Sequence, residues 1–247
     1  MKILYLILFC IFGFGLYLIF QKKYRGSIIY TLAIGSIVNG TIFNALNYPI
    51  KIGNLTFGMD SVVYLLFLFS VVMMYAYYGK RDTVTLVICS VGAIIFAAFI
   101  EFITRISSSG YTPEVLLSLV SYIASCVAAI IACIAMIALF DFLRKKKVCV
   151  YANVIIVLIV ASLVESFVFN ACTSSFKISI LTTQFWSNLL AMYIGKMISL
   201  AFCVATMLVV NLVFKEDKIP YPSKCEDKPT AENAEIDAEN TNEDTDE

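Results

Sequence analysis

The sequence predicts an all-α integral membrane protein, a bundle of seven transmembrane helices followed by a disordered acidic tail. Three observations predict it. Hydrophobic residues make up 60% of the chain and charged residues 15%, well away from the even apolar share and the quarter charged of a soluble domain. Apolar stretches of about eighteen or more residues recur as far as Phe214, each long enough to serve as a span. Beyond Phe214 the chain turns abruptly polar and acidic, with almost nothing to bury.

The first span is expected over residues 3–20, "ILYLILFCIFGFGLYLIF". Only Lys2 precedes it, no small-residue cleavage site follows, and "QKKYR" comes next, an order that fits a retained helix better than a cleaved signal. Further spans are expected at 27–46, 61–79, 83–103, 115–142, 148–169 and 189–214. Prolines fall outside all of them, and Pro49 and Pro113 are read as punctuating loops. The stretch 115–142 is long enough to tilt or to extend beyond the lipid. The organisation is therefore an N-terminal helix and basic loop over 1–26, a helical body over 27–215, and a disordered tail over 216–247.

A formal net charge of zero conceals two opposite regions. Residues 1–225 hold 17 Lys/Arg against 8 Asp/Glu, a balance of +9, and residues 226–247 hold ten acids against Lys228, a balance of −9. Basic residues also divide between alternate loops. Lys22, Lys23, Arg25, Lys80, Arg81, the four from Arg144 to Lys147, Lys215 and Lys218 flank one side, against Lys2, Lys51, Arg105 and Lys177 on the other. The richer side is expected to be cytoplasmic, which puts the N-terminus outside and the C-terminus inside.

Chemistry is narrowed mainly by exclusion. The chain has no histidine, no Gly-rich phosphate loop and no nucleophile beside a base, so no enzyme, cofactor or metal site is expected, and nothing points to nucleic acid. The eight cysteines are scattered without a CxxC pair and read as small core hydrophobes; Cys126 and Cys133 share a helix face. A selective ion channel would need rings of like charge or a carbonyl-rich filter, and one isolated acid and one isolated base do not suggest either.

Ionisable groups inside the spans are few, and each asks for a reason. Asp60 is read as the N-cap of its span, Glu101 and Arg105 as an i,i+4 pair at a helix end, and Asp141 as an edge residue beside "LRKKK". Glu165 resists such accounts, because its short side chain cannot reach the interface and an acid in a span interior costs roughly 2.5–3.5 kcal/mol on insertion scales. Ser162, Glu165, Ser166 and Asn170 follow helical spacing and form a polar stripe that must face protein or water. Lys196 intrudes in the same way on the last span. With alternating spans, Asn44, Asp60, Glu101, Glu165 and Lys196 belong to one leaflet, and a shared polar cavity around Glu165 and Lys196 is the economical explanation.

Four stretches resemble the putative vitamin uptake transporter (VUT) family, which includes transporters of queuosine precursors. "LFDFLRKKKVCVYANVIIVLIVASLVESFVF" resembles the family's basic linker and acid-bearing helix, and places Glu165, Ser166 and Phe169 at the acid, hydroxyl and aromatic positions. "MYIGKMISLAFCVATMLVVNLVF" is similar to its final helix, with Tyr193 and Lys196 at the aromatic and the lysine. "FNALNYP" resembles the end of its first helix, at Asn44, and "YYGKRD" its aromatic-Gly turn. The likeness covers about 27–215; where family members carry acids before that turn, this chain has Val72 and Tyr75. It implies a six-helix transporter body in a bacterial cytoplasmic membrane, importing a small, flat, nitrogen-rich heterocycle.

The residues are compatible with that implication. A carboxylate accepts paired N–H donors from one edge of such a ring, while Asn44 and Gln184 offer both donors and acceptors. The expected substrate-binding set is Asn44, Glu101, Ser162, Glu165, Ser166, Gln184, Tyr193 and Lys196. Candidate partners besides the lipid bilayer and the solute are a second copy of the chain and a basic cytoplasmic protein on the tail. The rival reading is a membrane anchor whose acidic tail recruits that protein, with Ser36 and Gly40 serving helix packing.

Overall fold

The computed structural model describes residues 26–40, 42–43, 49–52, 55–110, 113–174 and 182–213. A short apolar helix α1 (Gly26–Gly40) is followed by strands β1 (Pro49–Ile52) and β2 (Leu55–Gly58). Five long helices complete the order: α2 (Met59–Tyr78), α3 (Lys80–Ser109), α4 (Pro113–Lys145), α5 (Val150–Ser174) and α6 (Thr183–Val213). All five are long and apolar enough to cross a bilayer, and the chain is an all-α, multi-pass membrane protein. The expected span at 3–20 and the acidic tail lie outside the described residues, which show five full-length spans and the shorter α1 rather than seven.

Helix α2 is the axis of the bundle. It is apolar nearly all round and buried from Met59 to Ala76 with few breaks, as a helix surrounded by other helices should be. Helices α3, α4, α5 and α6 all pack against it, and the α4–α5 pairing is the most extensive in the molecule. α3 has the opposite character. Ile88, Ile95, Phe96, Phe99 and Ile103 are exposed along it, an apolar face that suits lipid and not water.

The turn between α2 and α3 is a single residue. Gly79 takes φ +86° and ψ −165°, a region essentially closed to residues with a Cβ, and so folds the two helices into an antiparallel hairpin. Gly110 closes α3 in the same conformation. The Gly79 turn and the Arg144–Lys147 turn consequently lie at one end of the bundle, and Gly110, the hairpin and the start of α6 at the other.

Three sequence expectations are corrected here. Pro113 is the first residue of α4, a position where its missing N–H costs nothing. Pro49 opens β1, and the segment read as loop is an antiparallel hairpin pairing Ile52 with Leu55 across two residues. Asp60 is not an N-cap, because α2 starts one residue earlier, behind Gly58, with no side-chain cap.

Candidate functional site

Glu165 and Lys196 meet. Glu165 sits on α5 and Lys196 on α6, each far from its helix end, and the Lys196 Nζ makes an ion pair with Glu165 Oε2. The same ammonium donates to Ser166 Oγ at 2.7 Å. Lys196 is 1% exposed and Glu165 4%, so the lysine does not run outward to the interface but turns into the bundle. Ser199, less than a turn further along α6, donates to the Val62 carbonyl at 3.0 Å and fixes α6 against α2 at this level. That contact sets the Lys196 ammonium over the Tyr64 ring, 5.4 Å from its centroid.

The pair lines a cavity of about 70 Å³ to which all six described helices contribute. Asp60, Ser61 and Tyr64 come from α2, Tyr122 and Ser125 from α4, and Phe169 from α5 beside Glu165. Ser36 and Gly40 of α1 lie at the cavity as well, so these small residues border a space rather than only a helix seam. The Tyr64 hydroxyl has essentially no solvent access and no hydrogen-bond partner among the described residues. Such an orphaned donor is expensive, and native structures keep few of them.

A second polar group adjoins the first. The Tyr122 hydroxyl donates to Glu101 Oε2, and Arg105 Nε donates to Glu101 Oε1 at 2.6 Å. The chain Arg105–Glu101–Tyr122 leads from the Gly110 end of the bundle to the cavity wall.

The candidate residues read from sequence divide by location. Glu165 and Lys196 line the cavity, Ser166 stands behind them as a bridge, and Glu101 reaches it through Tyr122. Ser162 is buried but donates to the Ile159 carbonyl of its own helix, at 2.9 Å. Asn170, from the same stripe, donates to the Phe185 carbonyl at 2.9 Å and clasps the end of α5 to the start of α6. Tyr193 is partly buried and outside the lining, Gln184 is exposed at the start of α6, and Asn44 lies outside the described residues.

Sequence reasoning passed over Tyr64, Tyr122 and Ser125, and assigned Asp60 to capping. A signal was present. Asp60, Ser61 and Tyr64 follow helical spacing on α2, as Tyr122 and Ser125 do on α4, which are the same kind of stripe as the one that singled out Glu165. Among the described residues no group of three or more His, Cys, Asp or Glu side chains is placed to hold a metal ion.

Compared with known proteins, the chain matches no family model, no curated protein and no solved structure.

Proposed function

We propose that this protein is a membrane carrier that takes up a small polar heterocycle through the cavity around Glu165 and Lys196, as a divergent relative of the VUT transporters. The observation that carries the reading is a buried acid–base pair facing a space in company with a tyrosine hydroxyl that has no partner among the described residues. An intramembrane ion pair that served only to hold helices together would gain nothing from a cavity, since each polar group left facing it is costly. Buried groups with unspent hydrogen-bonding capacity are what a solute with donors and acceptors on one edge would satisfy.

The Gly79 and Arg144–Lys147 turns, which share one end of the bundle, carry most of the basic residues between spans. By the distribution of positive charge that end faces the cytoplasm, and the cavity lies toward the outer leaflet. In an uptake assay with nucleobases, deazapurines and vitamins, Glu165→Gln is expected to abolish transport of the solute that the wild type accumulates. Unchanged uptake removes Glu165 from the site and the proposal with it. Deletion of 216–247 is expected to leave uptake intact, whereas loss of function on that deletion favours the anchor reading.

A further inference from the structure

Among the described residues, acids at the cavity outnumber bases. Lys196 is in ion-pair contact with Glu165, and Asp60 lines the same cavity. Among the described residues two carboxyl groups and one ammonium therefore line the wall, and the ion pair next to the cavity, Glu101 with Arg105, is neutral in itself. An acid in a spanning helix without a counter-ion is costly as a carboxylate, and either a proton or a cation relieves that cost. A neutral solute would leave that charge in place and an anion would double it, whereas a cation removes it.

We infer that the solute is an organic cation with N–H donors on a flat group, and that Asp60 is the residue that selects it; the inference rests on the carrier reading above. The wall is suited to that chemistry. Tyr64 already presents its ring face to one cation, and Tyr122 and Phe169 add aromatic surface. The Tyr64 hydroxyl is available to accept an N–H. A hard inorganic cation is less well served, because it demands about six or more oxygen ligands and the described residues hold no cluster of acids that approaches this.

Asp60 also lies close to its neighbouring backbone: a Cβ added at Gly58 would run into Asp60 Oδ1. A methyl group at residue 58 therefore shifts the Asp60 carboxylate without removing its charge, which separates position from charge in the test.

Methylguanidinium and N-methylurea share a shape and differ in charge, and both can be titrated at millimolar concentration against the purified full-length protein while its thermal unfolding is followed. Methylguanidinium is expected to raise the midpoint, with N-methylurea at least about tenfold weaker in affinity, a gap of about 1.4 kcal/mol. Asp60→Asn is expected to erase that difference and Gly58→Ala to narrow it; should Asp60→Asn fail to fold, Gly58→Ala carries the test. Equal stabilisation by the two probes, no shift with either, or a preference that survives both substitutions overturns the assignment. Neutral deazapurines measured alongside keep the two failures apart. Stabilisation by these and not by methylguanidinium removes only the cation, whereas stabilisation by nothing removes the carrier reading as well.

Discussion

The two ends of the bundle each hold an acid among apolar helices, and they dispose of it differently. At the Gly79 end, Asp141 of α4 accepts the Tyr75 hydroxyl at 2.7 Å, and the Tyr75 ring stands edge-on to Phe140 at 5.3 Å. Asn153 of α5 donates to the Phe140 carbonyl at 3.1 Å, leaving only its own side-chain oxygen without a partner. Polar groups there hold helix to helix. Toward the Gly110 end, Glu165 and Lys196 are buried and Asp60 and Tyr64 partly so, and they border a shared space in which the Tyr64 hydroxyl has no partner among the described residues. An intramembrane acid is thus informative about function only once its surroundings have been counted: Asp141 joins one helix to another, whereas Glu165 and Lys196, though paired with each other, face a space shared with Asp60 and the Tyr64 hydroxyl.

The largest expected effect tests whether the charges at the cavity depend on one another. Lys196→Met leaves Glu165 buried without its cation, and is expected to lower stability by about 3–5 kcal/mol. Adding Glu165→Gln to it should recover most of the loss, as measured by unfolding of both variants in the same detergent. A destabilisation below about 1 kcal/mol would mean that the ammonium is not compensating the Glu165 carboxylate, and the contrast between the two ends would disappear.

At the packed end the corresponding experiment is Tyr75→Phe. It removes a hydrogen bond to a carboxylate and is expected to cost about 1.5–3 kcal/mol, toward the lower figure because Asp141 is partly exposed. Ligand binding should not change. A variant that unfolds normally but loses binding would show that the Gly79 end reports to the cavity, and the division of labour would have to be redrawn.

How far these differences were legible in the chain depends on the physics involved. Helices α2 to α6 follow directly from hydropathy, because a bilayer demands a continuous apolar stretch and leaves no ambiguity of period. Their ends were less legible. α3 runs on to Ser109 and α6 begins at Thr183, both outside the apolar stretch, since helix continues wherever capping and packing allow. The β1–β2 hairpin was missed although Gly53 and Asn54 between two short runs are a recognised turn signal. Glu165 and Lys196 stood out because charge in an apolar helix is conspicuous. Tyr64 and Tyr122 did not, because tyrosine is unremarkable in such a helix, and only tertiary structure decides whether its hydroxyl finds a partner.

Tyr64→Phe has the smallest expected effect on stability and the clearest sign. At a packed position, deleting a buried hydroxyl removes a bond and destabilises, as expected for Tyr75. At Tyr64 there is no bond to lose among the described residues, and the ring with its contact to Lys196 stays in place. Removing the orphaned group should therefore raise stability, by about 1 kcal/mol at most, since part of its desolvation cost is relieved. Solute affinity should fall in the same variant, by about tenfold for one lost hydrogen bond. Stability and binding moving in opposite directions on deletion of one oxygen atom is the signature of a group kept for a ligand, at a cost to the fold. If Tyr64→Phe instead loses stability, the hydroxyl has a structural partner and the cavity end is built like the other.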